Sequence, residues 1–539
     1  MRRSHLRAFT RMYRSCRNAT VRHRGFIDQM TRPHRPPTIV FGLDGYDFEL
    51  ALQLARGGQL PWLNSQLQRG THVSTRCATL QGSEWVNAAC GVSAAHHGYL
   101  HSTQLRVGTY EEVKTDASVV RAEPFYVPLA RSGVGSIVVD LPVDRPRPQP
   151  NLAQVVDWGS EFQLWGYTTA PRALRSRIAR QVGEHPITHY GSTQPDDATL
   201  IRLHEALSRG TLQKGRLIRT LMRETERWSF LFAGFGEIHK AGHFFWQYQD
   251  PTHPGYRGPD HPLAGALADL YQLLDTELRQ ICAEVDEDVN VVVVADRGMR
   301  GNHRGEHLIA PLLQRWGLYS PLHTRSTDSS DASVDGAHEA VGRVSVASRI
   351  KQHIPVAMRP MVRRLVGQER ADWRRTQVFP VADVGTSYLR VNLVGREPHG
   401  VVHPGSEYEA LLGQLEFEFK ALINPATGRC PVEEVVFPAR AFAGPLNDQL
   451  QDIGIVWAAD APVVAVESPS IGRIEGAHLE QRSGNHTSVG GILAAGPNFE
   501  HRSDRLGDLR ELAPTVLALY GVPIPEVYER ARMPELVTG

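Results

Sequence analysis

"GEIHKAGHFFW" (236–246) sets His239 and His243 four residues apart, directly after an apolar run. On a helix, that spacing puts both imidazoles on one face, where they can share a metal ion. Glu237 lies just ahead of them and is a candidate acid–base or ligand carboxylate. A third imidazole, His486, stands in the glycine-rich "RSGNHTSVGG" (482–491), where the backbone can come close to an ion. Two carboxylates end β-branched runs: Asp44 in "GLDGYD" and Asp296 in "VVVVADRGMRGNH" (291–303). Arg297 follows Asp296, and His303 and His307 lie downstream. A guanidinium stays protonated and has no lone pair, so Arg297 cannot bind a cation, but it can grip phosphate or sulfate oxygens through two N–H groups. Ser83, in "TLQGSEWVNAACGVSAAHHGYLHS" (79–102), precedes a small-residue helical stretch. A hydroxyl there is either a plain N-cap or a nucleophile beside N–H groups that favour anions.

These residues need a scaffold that brings distant segments together. Short apolar runs recur at 37–45, 136–142, 228–236, 289–296 and 490–497, with helical stretches at 200–227 and 261–285 between them. Strands alternating with helices predict an α/β sandwich around a mostly parallel sheet. Ligands in such folds sit outside the carboxyl ends of the strands, where Asp44, Glu237 and Asp296 are expected. The segment 324–342 is small, polar and acidic, and reads as a linker. After it come a basic helical stretch (348–370) and a strand–turn–helix–turn pattern up to "INPATGR". The expected organisation is a basic, disordered tail (1–36), a core (37–324), a linker and inserted smaller α+β region (325–450), and the rest of the core (451–539). The central sheet is expected to resume near "DIGIVWAADAPVVAVES".

At 539 residues the chain exceeds what one hydrophobic core usually serves. Its formal charge of +1 gives no global field for nucleic acid or an anionic membrane, so neither is expected as a partner. No apolar run approaches the ~18 residues of a membrane span. The five cysteines are scattered without a CxxC, which argues against a disulfide framework or zinc ribbon and points to the cytoplasm. The arginine-rich first residues lack an apolar signal core. They are read as a tail, a transit segment, or residues upstream of a true start at Met30.

The order Asp, hydroxyl at a helix start, HxxxH, Asp-x-Gly and late His resembles the type I phosphodiesterase/nucleotide pyrophosphatase branch of the alkaline phosphatase superfamily. The resemblance also rests on "WVNAACGVSAAHHG", "YLRVNLVGREPHGVV", "GNHTSVGGILAAGP" and "ELAPTVLALYGVPIPE", and runs from about residue 37 to 530. It implies an alkaline-phosphatase-like sandwich and hydrolysis of phosphodiesters or related anionic esters of small molecules. One or two zinc ions would polarise the phosphoryl oxygens and activate water and a Ser/Thr nucleophile. Transferred by position, the first ion falls to His239, His243 and His486, with histidine where the family usually has aspartate at 239. The second falls to Asp44, Asp296 and residue 297, where Arg297 replaces the expected histidine. The nucleophile's place falls on Gln81, with Ser83 two residues on (the preferred candidate) and Thr79 two back. Three outcomes stay open. Ser83 attacks and His303 or Glu237 completes the second ion site; or only the three-histidine ion remains and Arg297 supplies fixed charge; or catalysis is lost and the pocket binds a phosphorylated or sulfated ligand.

Overall fold

The computed structural model describes residues 35–77, 82–160, 165–187, 195–285, 288–322, 371–381, 387–458, 460–476, 482–501 and 505–536. The strands used below, in chain order, are β1 Thr38–Leu43, β2 Gly70–Arg76, β3 Gly135–Val139, β4 Leu152–Val156, β5 Thr168–Ala170, β6 Trp228–Phe235, β7 Asn290–Ala295 and β8 Met299–Gly301. They continue with β9 Val378–Val381, β10 Tyr388–Val391, β11 Val432–Val436, β12 Ile453–Trp457, β13 Gly484–His486, β14 Val489–Ala495 and β15 Leu506–Gly507. The helices used below are α1 Glu84–Cys90, α2 Asp197–Glu224, α3 Glu237–Gln249, α4 Ala266–Cys282, α5 Ser406–Lys420 and α6 Leu512–Leu519.

Nine strands form the central sheet in the order β15-β2-β14-β7-β1-β6-β3-β4-β5. The block β7-β1-β6-β3-β4 is parallel, while β14 and β5 run against their neighbours. The expected α/β sandwich on a mostly parallel sheet is therefore what forms. Parallel strands are covered on both faces, so every position must be apolar. In β1, Ile39, Phe41 and Leu43 join the core under α2, α3 and α4, whereas Val40 joins the opposite core with Trp85 and α6. The helix expected at 200–227 spans 197–224, and the one expected at 261–285 spans 266–282.

A second, antiparallel sheet, β9-β10-β12-β11, has its own core with α5 and the helix Glu306–Arg315. The central sheet therefore does not resume near residue 452. "IGIVW" is β12 of the inserted sheet, and the central sheet resumes only at β14. Both locations bury a short strand on two faces, so the apolar run could not distinguish them. The tail up to residue 34, the acidic linker and the basic stretch 348–370 lie outside the described residues. Among the described residues no helix is long and apolar enough to cross a membrane.

Candidate metal centre and active site

β1, β6 and β7 end at one level, with Leu43 opposite both Phe235 and Ala295. Asp44, the start of α3 and Asp296 therefore emerge together at the carboxyl edge of the sheet. Gly45 makes this crowding possible: its φ is +62°, and a Cβ there would lie 3.2 Å from His239 Cα, Cβ and Cγ. His486 arrives on a two-stranded ribbon in which β13 pairs with β8, His486 opposite Met299. That ribbon packs tightly on α3, since a Cβ on Gly484 would be 2.1 Å from the Gly242 carbonyl.

The three imidazoles meet. His239 Nε2 is 3.0 Å from His243 Nε2 and 2.9 Å from His486 Nε2. They form the one group of metal-binding type among the described residues. Their partners fix the tautomers. His239 Nδ1 donates to Asp44 Oδ2 (2.7 Å), and His243 Nδ1 donates to the Gly484 carbonyl (2.8 Å). Both Nε2 atoms therefore turn lone pairs toward each other, an arrangement that a cation between them relieves. A tetrahedral zinc with bonds of about 2.0–2.1 Å needs nitrogens roughly 3.3 Å apart, a small opening from what is observed. Burial, and then nearby arginines, push His243 and His486 well below the usual histidine range, so both stay neutral as ligands must. The residues fit a metal ion.

Beside them, Asp44 is filled by protein donors: Trp85 Nε1 gives to Oδ1 (3.0 Å) and His239 to Oδ2. Burial alone would raise Asp44, but His239, Trp85 and Arg297 hold it down to about 2. Asp296 accepts from the Gly45 N–H at Oδ1 and from Arg297 Nε at Oδ2, each 2.9 Å. Arg297 is buried, with Nη2 3.7 Å from Glu84 Oε2, and the Cys77 thiol donates to Oε1 of the same glutamate.

Two expected members lie elsewhere. Glu237 does not join the imidazoles. It accepts from His185 Nε2 (2.9 Å) and pairs with Lys214 Nζ (3.2 Å), which also pairs with Asp140 (2.8 Å). Burial would raise Glu237, yet Lys214 and His185 hold it down to about 2. The structure places its carboxylate in a buried ion-pair cluster with His185 and Lys214, not with the imidazoles where the sequence reading set it. His303 stacks on His253, with ring centroids 5.8 Å apart.

Ser83 caps α1 without a side-chain cap bond and is 1% exposed. The residues just after it reach the centre: Glu84 toward Arg297 and Trp85 to Asp44. Its hydroxyl takes part in a hydrogen-bond chain that the sequence pattern does not reveal. The Tyr99 N–H donates to His97 Nδ1 (3.1 Å), so His97 Nε2 donates to Asn87 Oδ1 (2.7 Å). The Asn87 amide is thereby turned to present Nδ2 to Ser83 Oγ, at 3.5 Å. Burial, helped by His96, lowers His97 to about 3 and keeps it neutral for this role. Gln81 and Thr79 lie outside the described residues. A cleft of about 430 Å³ opens on His486, lined by His303 and Arg304 of the core and by Ile455 and Trp457 of the inserted sheet.

The three-imidazole group thus sits at the carboxyl edge of a mostly parallel nine-stranded sheet in an α/β sandwich. A family model described as "Type I phosphodiesterase / nucleotide pyrophosphatase" matches residues 38–360, and the chain belongs to that family. No curated protein matches the sequence. Among solved structures it is similar to phosphonoacetate hydrolase from Sinorhizobium meliloti 1021 in complex with phosphonoformate (TM-score 0.47, 14% identity, 89% of this chain and 94% of that one). It is also similar to murine ectonucleotide pyrophosphatase/phosphodiesterase 5 (0.44, 11%, 91% and 96%) and to the alkaline phosphatase PafA (0.49, 12%, 94% and 100%).

Proposed function

We propose that the protein hydrolyses phosphodiesters or related anionic esters of small molecules, using a divalent ion, zinc in the first instance, held by His239, His243 and His486. The observation that carries this reading is the convergence of three Nε2 atoms from two segments 243 residues apart at their nearest, two of them with lone pairs fixed inward. A divalent ion there supplies Lewis-acid polarisation of a phosphoryl oxygen. The chain's own groups do the rest. Asp44 and the Gly484 carbonyl hold two imidazoles in their binding tautomer. Asp296 orients Arg297, whose buried charge stabilises the negative charge that builds on the phosphoryl oxygens. Ser83 Oγ gives its proton to solvent water and attacks phosphorus, the ester oxygen leaves with its bonding pair and takes up a proton from solvent, and water then attacks the phosphoseryl phosphorus, releasing the phosphate product and a reprotonated Ser83 hydroxyl. The cleft beside His486 receives the organic group.

The test is zinc analysis of the full chain with turnover of bis(4-nitrophenyl) phosphate. Bound zinc, with turnover lost in both His239→Ala and Ser83→Ala, supports the proposal. Unchanged turnover in Ser83→Ala moves the nucleophile to Thr79 or to water, and a metal-free, inert protein replaces hydrolysis by a binding role.

A further inference from the structure

We infer that the centre holds one divalent ion, that Arg297 fills the place of a second, and that Asp44 supports a ligand rather than binding metal itself. This rests on the three-imidazole reading above. Three carboxylates converge there: Asp44, Asp296 and Glu84. Both oxygens of Asp44 and both of Asp296 already accept from protein N–H groups. Glu84 accepts the Cys77 thiol at Oε1 and faces the guanidinium with Oε2, 3.7 Å from Arg297 Nη2. Asp44 and Asp296, which would have to bind a second ion, are thus committed to protein donors, and the cation that they and Glu84 face is a side chain.

Charge points the same way. Asp44, Asp296 and Glu84 all face the Arg297 guanidinium, so the carboxylates there already have one fixed positive partner, and a second divalent ion would be buried against that like charge. His239 completes the argument. An imidazole has nitrogens on two edges, so it bonds Asp44 with one and faces the ion with the other. A carboxylate in its place would oppose Asp44 instead of using it.

The experiment counts metal directly. Full-length protein is stripped, saturated with zinc, desalted and measured for zinc by mass spectrometry. One zinc per chain is expected. Two would overturn the inference and leave the three-imidazole reading standing, whereas none would remove that reading as well. Asp44→Asn should still bind one zinc at saturation, with affinity about 10–100-fold weaker, as for a lost partner of a ligand imidazole. Failure of Asp44→Asn to bind any zinc, with its thermal melt intact, would make Asp44 a ligand and overturn the assignment. Arg297→Ala uncovers three carboxylates without their cation and should admit a second zinc. A count that stays at one in folded Arg297→Ala would show that Arg297 does not stand in for an ion.

Discussion

Replacing Glu237 by glutamine and Lys214 by methionine should damage the protein by very different amounts, although the two residues are partners. Lys214 is fully buried between Asp140 (2.8 Å) and Glu237 (3.2 Å), one positive charge against two negative ones. Glu237→Gln leaves a balanced Lys214–Asp140 pair and weakens two contacts, the Lys214 ion pair and the charge-assisted bond from His185, together worth about 1.5–3 kcal/mol. Lys214→Met strands two buried carboxylates, and breaking a buried pair from one side costs about 3–5 kcal/mol. Asp140 keeps the N–H groups of Trp158 (2.6 Å) and Gly159 (2.7 Å), and Glu237 keeps His185 (2.9 Å), which places the loss toward the lower end of that range. Urea unfolding followed by tryptophan fluorescence reports on this cluster, because the Trp158 ring lies 6.0 Å from Lys214 Nζ. The midpoint should fall slightly for Glu237→Gln and much further for Lys214→Met, with kcat of Glu237→Gln within a few-fold of the parent. A parental midpoint in Glu237→Gln with kcat down a thousandfold would refute the structural assignment and return Glu237 to the chemistry.

Asn87→Ala removes the amide that faces Ser83 and strands the buried His97 Nε2–H, so kcat should fall about tenfold with KM nearly unchanged, and stability should fall by the ~1–3 kcal/mol of an unsatisfied buried donor, read from the thermal melt. Trp457→Ala opens the inserted-sheet wall of the cleft and should raise KM for aryl diesters several-fold at similar kcat, read from steady-state kinetics. Burial, against three hydrogen bonds, lifts Asp157 to about 6, so between about pH 4 and 6 the native carboxyl holds a proton that the unfolded chain releases. Its stabilising effect is complete below about pH 4 and lost as pH rises through 6. Asp157→Asn should therefore flatten denaturation midpoints across that window and gain up to ~3 kcal/mol at neutral pH. Chelation should lower the melting temperature, because zinc at a hundredfold its Kd contributes about 2.7 kcal/mol.

The parts of this molecule legible in its sequence are those where one local pattern has one physical meaning. β1, β6 and β7 are buried on both faces and read as unbroken apolar runs, and the residues after them had to fall at one edge. β2, "GTHVSTR", lies beside an edge strand and has Val73 as its one large apolar residue, with Thr71 and Thr75 filling buried positions, so nothing in it marked a nine-stranded sheet. Glu237 shows a signal that was present but unused. On an α-helix residues two apart point about 200° from each other, while four apart is about 40°. A helix beginning at Glu237 that turns His239 and His243 to the ion must turn Glu237 toward the opposite side, and there it meets Lys214. Asp44 was illegible for a deeper reason. Aspartate to histidine at 239 looks like one ligand exchanged for another, a change confined to its own position. Yet a carboxylate accepts on both oxygens, whereas an imidazole donates from one edge and accepts at the other. With histidine at 239, Asp44 accepts its Nδ1–H, and that partner sits 195 residues away in the chain. Substitution at a metal site is thus read correctly only together with the partners that complete each side chain's hydrogen bonds, and those partners are set by the fold.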